Sequence, residues 1–213
     1  TRIEAAVRAF RNHYQAQRDA ARQPAGPPVR TAGKTDRLTG KTLLFPNWDP
    51  VALRRVTAAL RREGVDARLL EETETAIQKS LRRNSGQCLP LNIVAQEYVD
   101  YVRNHDLDPS KTALWMIDST IACNLGLYPR HIRRLIAETD PSMAAAATYI
   151  GDFSFAEISL RLPVHIYFAY MFGGMIRKMG CRIRPYEIRK GETDRVVEES
   201  VAMLEKVFSG KGS

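Results

Sequence analysis

Cysteine occurs only three times in the 213 residues, as Cys88, Cys123 and Cys181. So few, with no charged-then-apolar leader ahead of them, argue against a disulfide framework and for a reducing compartment; neither a signal peptide nor any location but the cytoplasm is expected. Spacings of 35 and 58 residues leave no CxxC pair of the kind seen in zinc ribbons and bacterial ferredoxins. No GxGxxG, GxxxxGK[ST] or GxSxG stretch occurs, which removes the usual phosphate-loop and hydrolase readings. The longest apolar-rich run, LPVHIYFAYMFGGMI (162–176), contains Pro163, His165 and a glycine pair, and is shorter than the roughly 20 residues a bilayer span needs. It reads as a buried helix, and no membrane partner is expected.

An apolar fraction of 44% with 8% aromatics fits a soluble globular protein with one good core and appendages. The net charge of +8 suggests a polyanion until it is located along the chain. Residues 1–62 hold 13 Lys/Arg against 4 Asp/Glu, whereas residues 63–213 hold 19 against 20. The excess is therefore N-terminal. A solvated arginine-rich helix face explains it, ahead of a patch that binds nucleic acid.

Ile3, Val7, Phe10 and Tyr14 are three or four residues apart, one helical stripe, and the Pro/Gly-rich QPAGPPVRTAGKTDRLTG describes a linker. We expect a basic helix with linker at 1–39 and an α/β domain at 40–213. In the latter, KTLLFPN reads as a strand and Asp49-Pro50 opens a helix as N-cap and first-turn proline. Gly64 suits a left-handed cap before the strand VDARLLEE. A helix at 89–104, a buried strand KTALWMIDS (111–119), a helix LYPRHIRRLIAET and a weak strand TYIGD (148–152) follow. Residues 156–179 predict one long helix or two broken at Pro163, then a strand CRIRPYE (181–187) and a C-terminal helix. LRREGVDARLLEE and IRKMGCRIRPYEI share a helix–Gly–strand form, the ordinary grammar of αβ units. Alternating strands and helices predict a parallel sheet with helices on both faces.

Ligands of such a sheet bind outside the carboxyl ends of its strands. Cys123 follows the strand at 111–119 and falls near such an end. Cys88, in NSGQCLPLNIVAQEY, stands where a loop of small polar residues meets a helix, a place whose backbone N–H groups favour a thiolate. Cys181, if it begins a strand, would start at the opposite rim. On residue chemistry alone, three unconnected buried cysteines remain open beside a shared site. Asp118, Asp152 and Glu157 are candidates for an acidic cluster at strand ends, serving hydrogen bonding or capping. His165 reads as a satisfied core residue, His105 and His131 as surface positions, and His13 belongs to the basic helix. The pair Gly173-Gly174 reads as a site of close helix packing.

Taken together, NSGQCLPLNIVAQEYVDY, ALWMIDSTIACNLGLYP and AYMFGGMIRKMGCRIRPYE resemble the C-terminal region of the large, multidomain CoA-substrate-specific enzyme activases, relatives of the 2-hydroxyacyl-CoA dehydratase and benzoyl-CoA reductase systems. The similarity spans residues 40–195. It implies a flavodoxin-like α/β domain holding a [4Fe–4S] cluster through three cysteines, one iron being left to a non-cysteine ligand. By motif, Cys88 matches the first ligand and Cys123 the second; Cys181 is the third, at a shorter interval than in the dehydratase subunits. In these systems ATP hydrolysis drives a low-potential electron to such a cluster. The ATPase signature is missing here, so the resemblance implies an ATPase/activase segment or electron-donor protein as partner, and acyl-CoA as a ligand to test. The alternative is an interaction domain that keeps the fold without a cluster and docks a partner protein or domain.

Overall fold

The computed structural model describes residues 38, 40–82, 86, 88–117, 124–151 and 154–211, and, near the N-terminus, 3–4, 7–8, 10–12, 14–15 and 18. The chain divides into two units, residues 1–30 and 31–213. In the first, the described residues are helical, and Ile3, Val7, Phe10 and Tyr14 are exposed on them. Most of the expected linker lies outside the described residues.

The second unit is an α/β domain. Four parallel strands, β1 (Thr42–Phe45), β2 (Ala67–Leu69), β3 (Thr112–Met116) and β4 (Ala147–Ile150), lie in the order β2-β1-β3-β4. This matches the first four strands of a flavodoxin-like sheet, whose order reverses between β1 and β3. Side chains alternate across it as period-2 backbone requires: Leu43, Phe45, Ala113, Trp115 and Tyr149 join one core, while Leu44, Leu114 and Met116 join the other. A strand buried on both faces loses the polar half of that alternation, which is why TALWM is apolar throughout.

Helices α1 (Pro50–Arg62), α5 (Leu162–Ile183) and α6 (Glu192–Phe208) cover the first face. The second is covered by α3 (Leu89–Asn104) and α4 (Tyr128–Thr139), with α2 (Glu74–Leu81) packed against α3. Asp49 caps α1, its carboxylate accepting from the Ala52 N–H at 3.0 Å, and Gly64 follows α1 at φ +85°. Both were legible in the sequence. The helix expected from residue 156 begins only at Leu162, residues 156–161 not being helical, so Pro163 breaks nothing; it stands in the first turn of α5, where its missing N–H costs nothing.

Residues 181–183 complete α5 and Arg184–Tyr186 form a 3-10 turn, so the strand expected at CRIRPYE is not formed. Gly180 is the reason. It is buried in the helix, where a Cβ would come 3.0 Å from Val197 of α6, and it serves close packing instead of ending the helix. The run 162–176 is also not a fully buried helix: Leu162, Ile166, Ala169 and Gly173 face the core, but Val164, Tyr167, Phe168, Met171 and Met175 are exposed.

Candidate functional site

The direction of each helix decides which chemistry-bearing residues share an edge. Strands β1 and β3 leave the sheet at its carboxyl edge through Pro46–Asp49 and through the segment from Ile117 onward. Each helix that runs back against the strands starts at that edge. Cys88, the residue before α3, and Tyr128, the first of α4, therefore come together there: the Tyr128 hydroxyl donates to the Cys88 Sγ at 2.9 Å. Cys88 is exposed and provides no side-chain cap to α3; its sulfur accepts from Tyr128 and not from the first-turn N–H groups. Tyr128 is buried against the second core, which fixes its hydroxyl. Cys123 and Asp118 lie outside the described residues, in the segment that joins β3 to α4.

Cys181 reaches the same end of the sheet by another route. Helix α5 runs antiparallel to α1: Arg55 donates to the Ala169 carbonyl, Gly173 lies against Ala52, and Arg177 pairs with Asp49. Asp49 stands four residues after β1, so Arg177 marks the carboxyl edge and Cys181 lies one helical turn beyond it. The opposite-rim placement that a strand start would have imposed is thus replaced by a carboxyl-side one. Cys88 and Cys181 are both exposed, on helices packed against opposite faces of the sheet. Among the described residues, no group of three or more His, Cys, Asp or Glu is placed to hold a metal ion.

Around the edge, Trp48 is partly exposed with its ring 6.2 Å from that of Trp115, which in turn stacks on Phe45 at 5.1 Å. The Asn47 side-chain oxygen is buried without a hydrogen-bond partner in the loop after β1. Burial pushes the Arg55 guanidinium below the usual arginine range, and the Asp49 carboxylate opposes that shift. Burial, reinforced by Asp49, raises the Tyr170 hydroxyl.

The acidic cluster expected at strand ends does not form as a unit among the described residues. Asp152 lies outside them, as Asp118 does, and Glu157 precedes Ile158, which lines a hollow with Gly40, Lys41 and Thr42 at the amino edge. His13 also lies outside the described residues. The exposed His105 ring stacks on Tyr101 and its Nδ1 bonds the Tyr101 carbonyl. His131 and His165 are half-buried, each with one ring nitrogen lacking a partner, so His165 is not the satisfied core residue expected.

Sequence reasoning passed over Glu97, the most perturbed carboxyl among the described residues. It is buried on α3 with one oxygen unpartnered; burial first, and then the charge of Glu72, raise it to about 8. A lone Glu in the apolar run IVAQEYV was the available signal. No described helix is long and apolar enough to cross a membrane. No family model, curated protein or solved structure matches the chain.

Proposed function

We propose that this chain is an iron–sulfur redox or electron-transfer domain of an acyl-CoA dehydratase activase-like protein, with a [4Fe–4S] cluster held by Cys88, Cys123 and Cys181 at the carboxyl edge of the sheet. The observation that supports it most is directional. Helix α3 starts at this edge with an exposed Cys88, β3 ends at this edge, with Cys123 seven residues after it in the sequence, and α5 carries Cys181 past Asp49 on the same side. Three thiolates offset the charge of the irons, and a bound cluster supplies one-electron chemistry at low potential. Tyr128 is placed to donate to the Cys88 sulfur, one of the levers by which a protein tunes such a centre. An ATPase/activase segment or donor protein supplies the electron in this reading, and acyl-CoA is the ligand class.

Anaerobic loading with iron and sulfide tests it, read by iron and sulfide content and by alkylation of native protein. In the iron-free chain iodoacetamide modifies the exposed Cys88 and Cys181; after loading, both are protected. Unchanged alkylation would overturn the reading.

A second reading, an interaction domain that docks a partner protein or domain, draws on a different region. An open groove of about 720 Å³ between the end of α5 and the start of α6 is lined by Ile176, Met179, Ile183, Tyr186, Ile188 and Val196. Ile188 is fully exposed. The two readings separate on whether stoichiometric iron binds.

A further inference from the structure

The groove between the end of α5 and the start of α6 carries a charge imbalance that local pairing does not remove. The carboxylates around it are all engaged. Glu187 accepts from the Gly191 and Thr193 N–H groups at 2.8 and 3.0 Å, Asp194 pairs with Arg184, Glu192 and Glu199 both pair with Arg195, and Glu198 pairs with Arg54. The cations are not. Arg189 on the groove wall, Lys190 beside it, and Lys178 and Arg182 on the last turns of α5 are exposed and stand in no ion pair among the described residues. Among these cations the wall is apolar and uncovered: Met179, Ile183, Tyr186 and Ile188 are 58, 51, 82 and 100% exposed. The floor is recessed, since Gly180 and Thr193 are buried beneath that rim.

We infer that the groove binds an amphipathic helix of a partner protein whose polar face is acidic. This builds on the docking reading of the groove and is independent of the cluster. Shape selects the element. Both walls are helices, whose backbone N–H and C=O groups bond within themselves, so the groove offers no edge to pair with an extended strand. A helix brings its own backbone bonds. Ile176 and Ile183 are seven residues apart, ~10 Å along α5, which is the reach of apolar side chains at i, i+3, i+4 and i+7 of a second helix. Met179, at the mouth, is a side chain that adapts to such a ridge. A bilayer meets what protrudes and leaves a recessed floor unfilled, whereas side chains on a helix ridge reach it. Charge selects the polar face. Unpaired cations in a stretch whose carboxylates are occupied set up a positive potential, which favours Asp and Glu at the margin of the bound helix and opposes Lys and Arg.

Fluorescence anisotropy with the full, iron-free chain in reducing buffer tests this, using two labelled synthetic helices of about 18 residues. Both carry leucine at i, i+3, i+4 and i+7; one has glutamate on its polar face, the other lysine. Anionic phospholipid vesicles serve as a third probe. The acidic helix should bind saturably, about tenfold or more tighter than the basic one, with an affinity that falls as salt rises. Ile183→Glu should abolish that binding with circular dichroism unchanged, because Ile183 is exposed. Arg189→Glu with Lys190→Glu should cancel the preference, although the N-terminal arginines are the same in every variant. Equal or better binding of the basic helix would overturn the acidic-partner inference and leave docking standing; no binding of either helix would overturn both. Binding untouched by Ile183→Glu, or capture by the vesicles and by neither helix, would overturn the inference as well.

Discussion

Gly173 of α5 lies so close to Arg55 of α1 that a Cβ at Gly173 would stand 2.6 Å from Arg55 Nη2. Arg55 is fully buried and its Nε and Nη2 both reach the Ala169 carbonyl, at 3.4 and 3.2 Å. It has no solvent to swing into. Gly173→Ala therefore forces Arg55 off that carbonyl, a loss of about 1–3 kcal/mol by urea denaturation. A Cβ at the neighbouring Gly174 meets nothing within 4 Å, and Gly174→Ala should stabilise by roughly 0.5–1 kcal/mol through helix propensity. Equal effects at the two glycines would contradict the packing described. Close packing was legible for the pair; which glycine provides it was not.

Glu97 gives the domain a pH dependence of defined sign. Its carboxyl is raised from the usual 4.5 to about 8 in the folded chain, so between those values the native state holds a proton that the unfolded state has lost. Stability must then fall as pH rises through this window, by on the order of a few kcal/mol at its upper end. Glu97→Gln keeps the shape and removes the titration. Thermal melts should show the variant close to wild type near pH 5 and more stable near pH 8.5; parallel curves at both would refute the assignment.

Asp49 serves two partners at the carboxyl edge, the Ala52 N–H and the Arg177 guanidinium. Asp49→Ala removes the cap as well as the ion pair and should cost about 1–2 kcal/mol. Asp49→Asn retains a capping oxygen and should cost less. Arg177→Met removes only a half-exposed pair, and its effect on the denaturation midpoint should stay under about 1 kcal/mol. The order Ala, then Asn, then Met separates the cap from the charge.

Strong local chemistry made much of this fold readable. Asp49-Pro50 and Gly64 bound α1 as cap residues do, and TALWM, apolar at every position, announced a strand buried on both faces. The parallel α/β fold followed from that alternation. Gly64 and Gly180 then show where such reading ends. Both sit between a helix-like and a strand-like stretch, but Gly64 adopts a left-handed conformation after α1 while Gly180 packs inside α5 against Val197. Only the tertiary neighbour distinguishes them. Helix α2 was not anticipated, because eight residues give little periodicity, although Thr73, which caps it by accepting from the Ala76 N–H, was a signal. The two apolar sides of α5 read as one buried helix, since sequence shows that a side is apolar and not whether anything covers it.

At the candidate site, Cys88 was placed correctly at a helix start, and its partner Tyr128, forty residues away, was invisible to local pattern. Cys181 was expected at the opposite rim because Gly180 reads as a helix cap with a strand beginning after it. Its helical location follows from the contacts of α5 with α1 and α6, which no local window contains.

The most direct test is anaerobic reconstitution of the chain with iron and sulfide, followed by metal analysis and EPR of the reduced protein, with Cys88→Ala, Cys123→Ala and Cys181→Ala in parallel. The three-cysteine reading predicts about four irons per wild-type chain, a reduced-cluster signal, and loss of both in each variant. A correctly folded wild-type chain that never binds stoichiometric iron, or a Cys88→Ala variant that binds it undiminished, would contradict that reading.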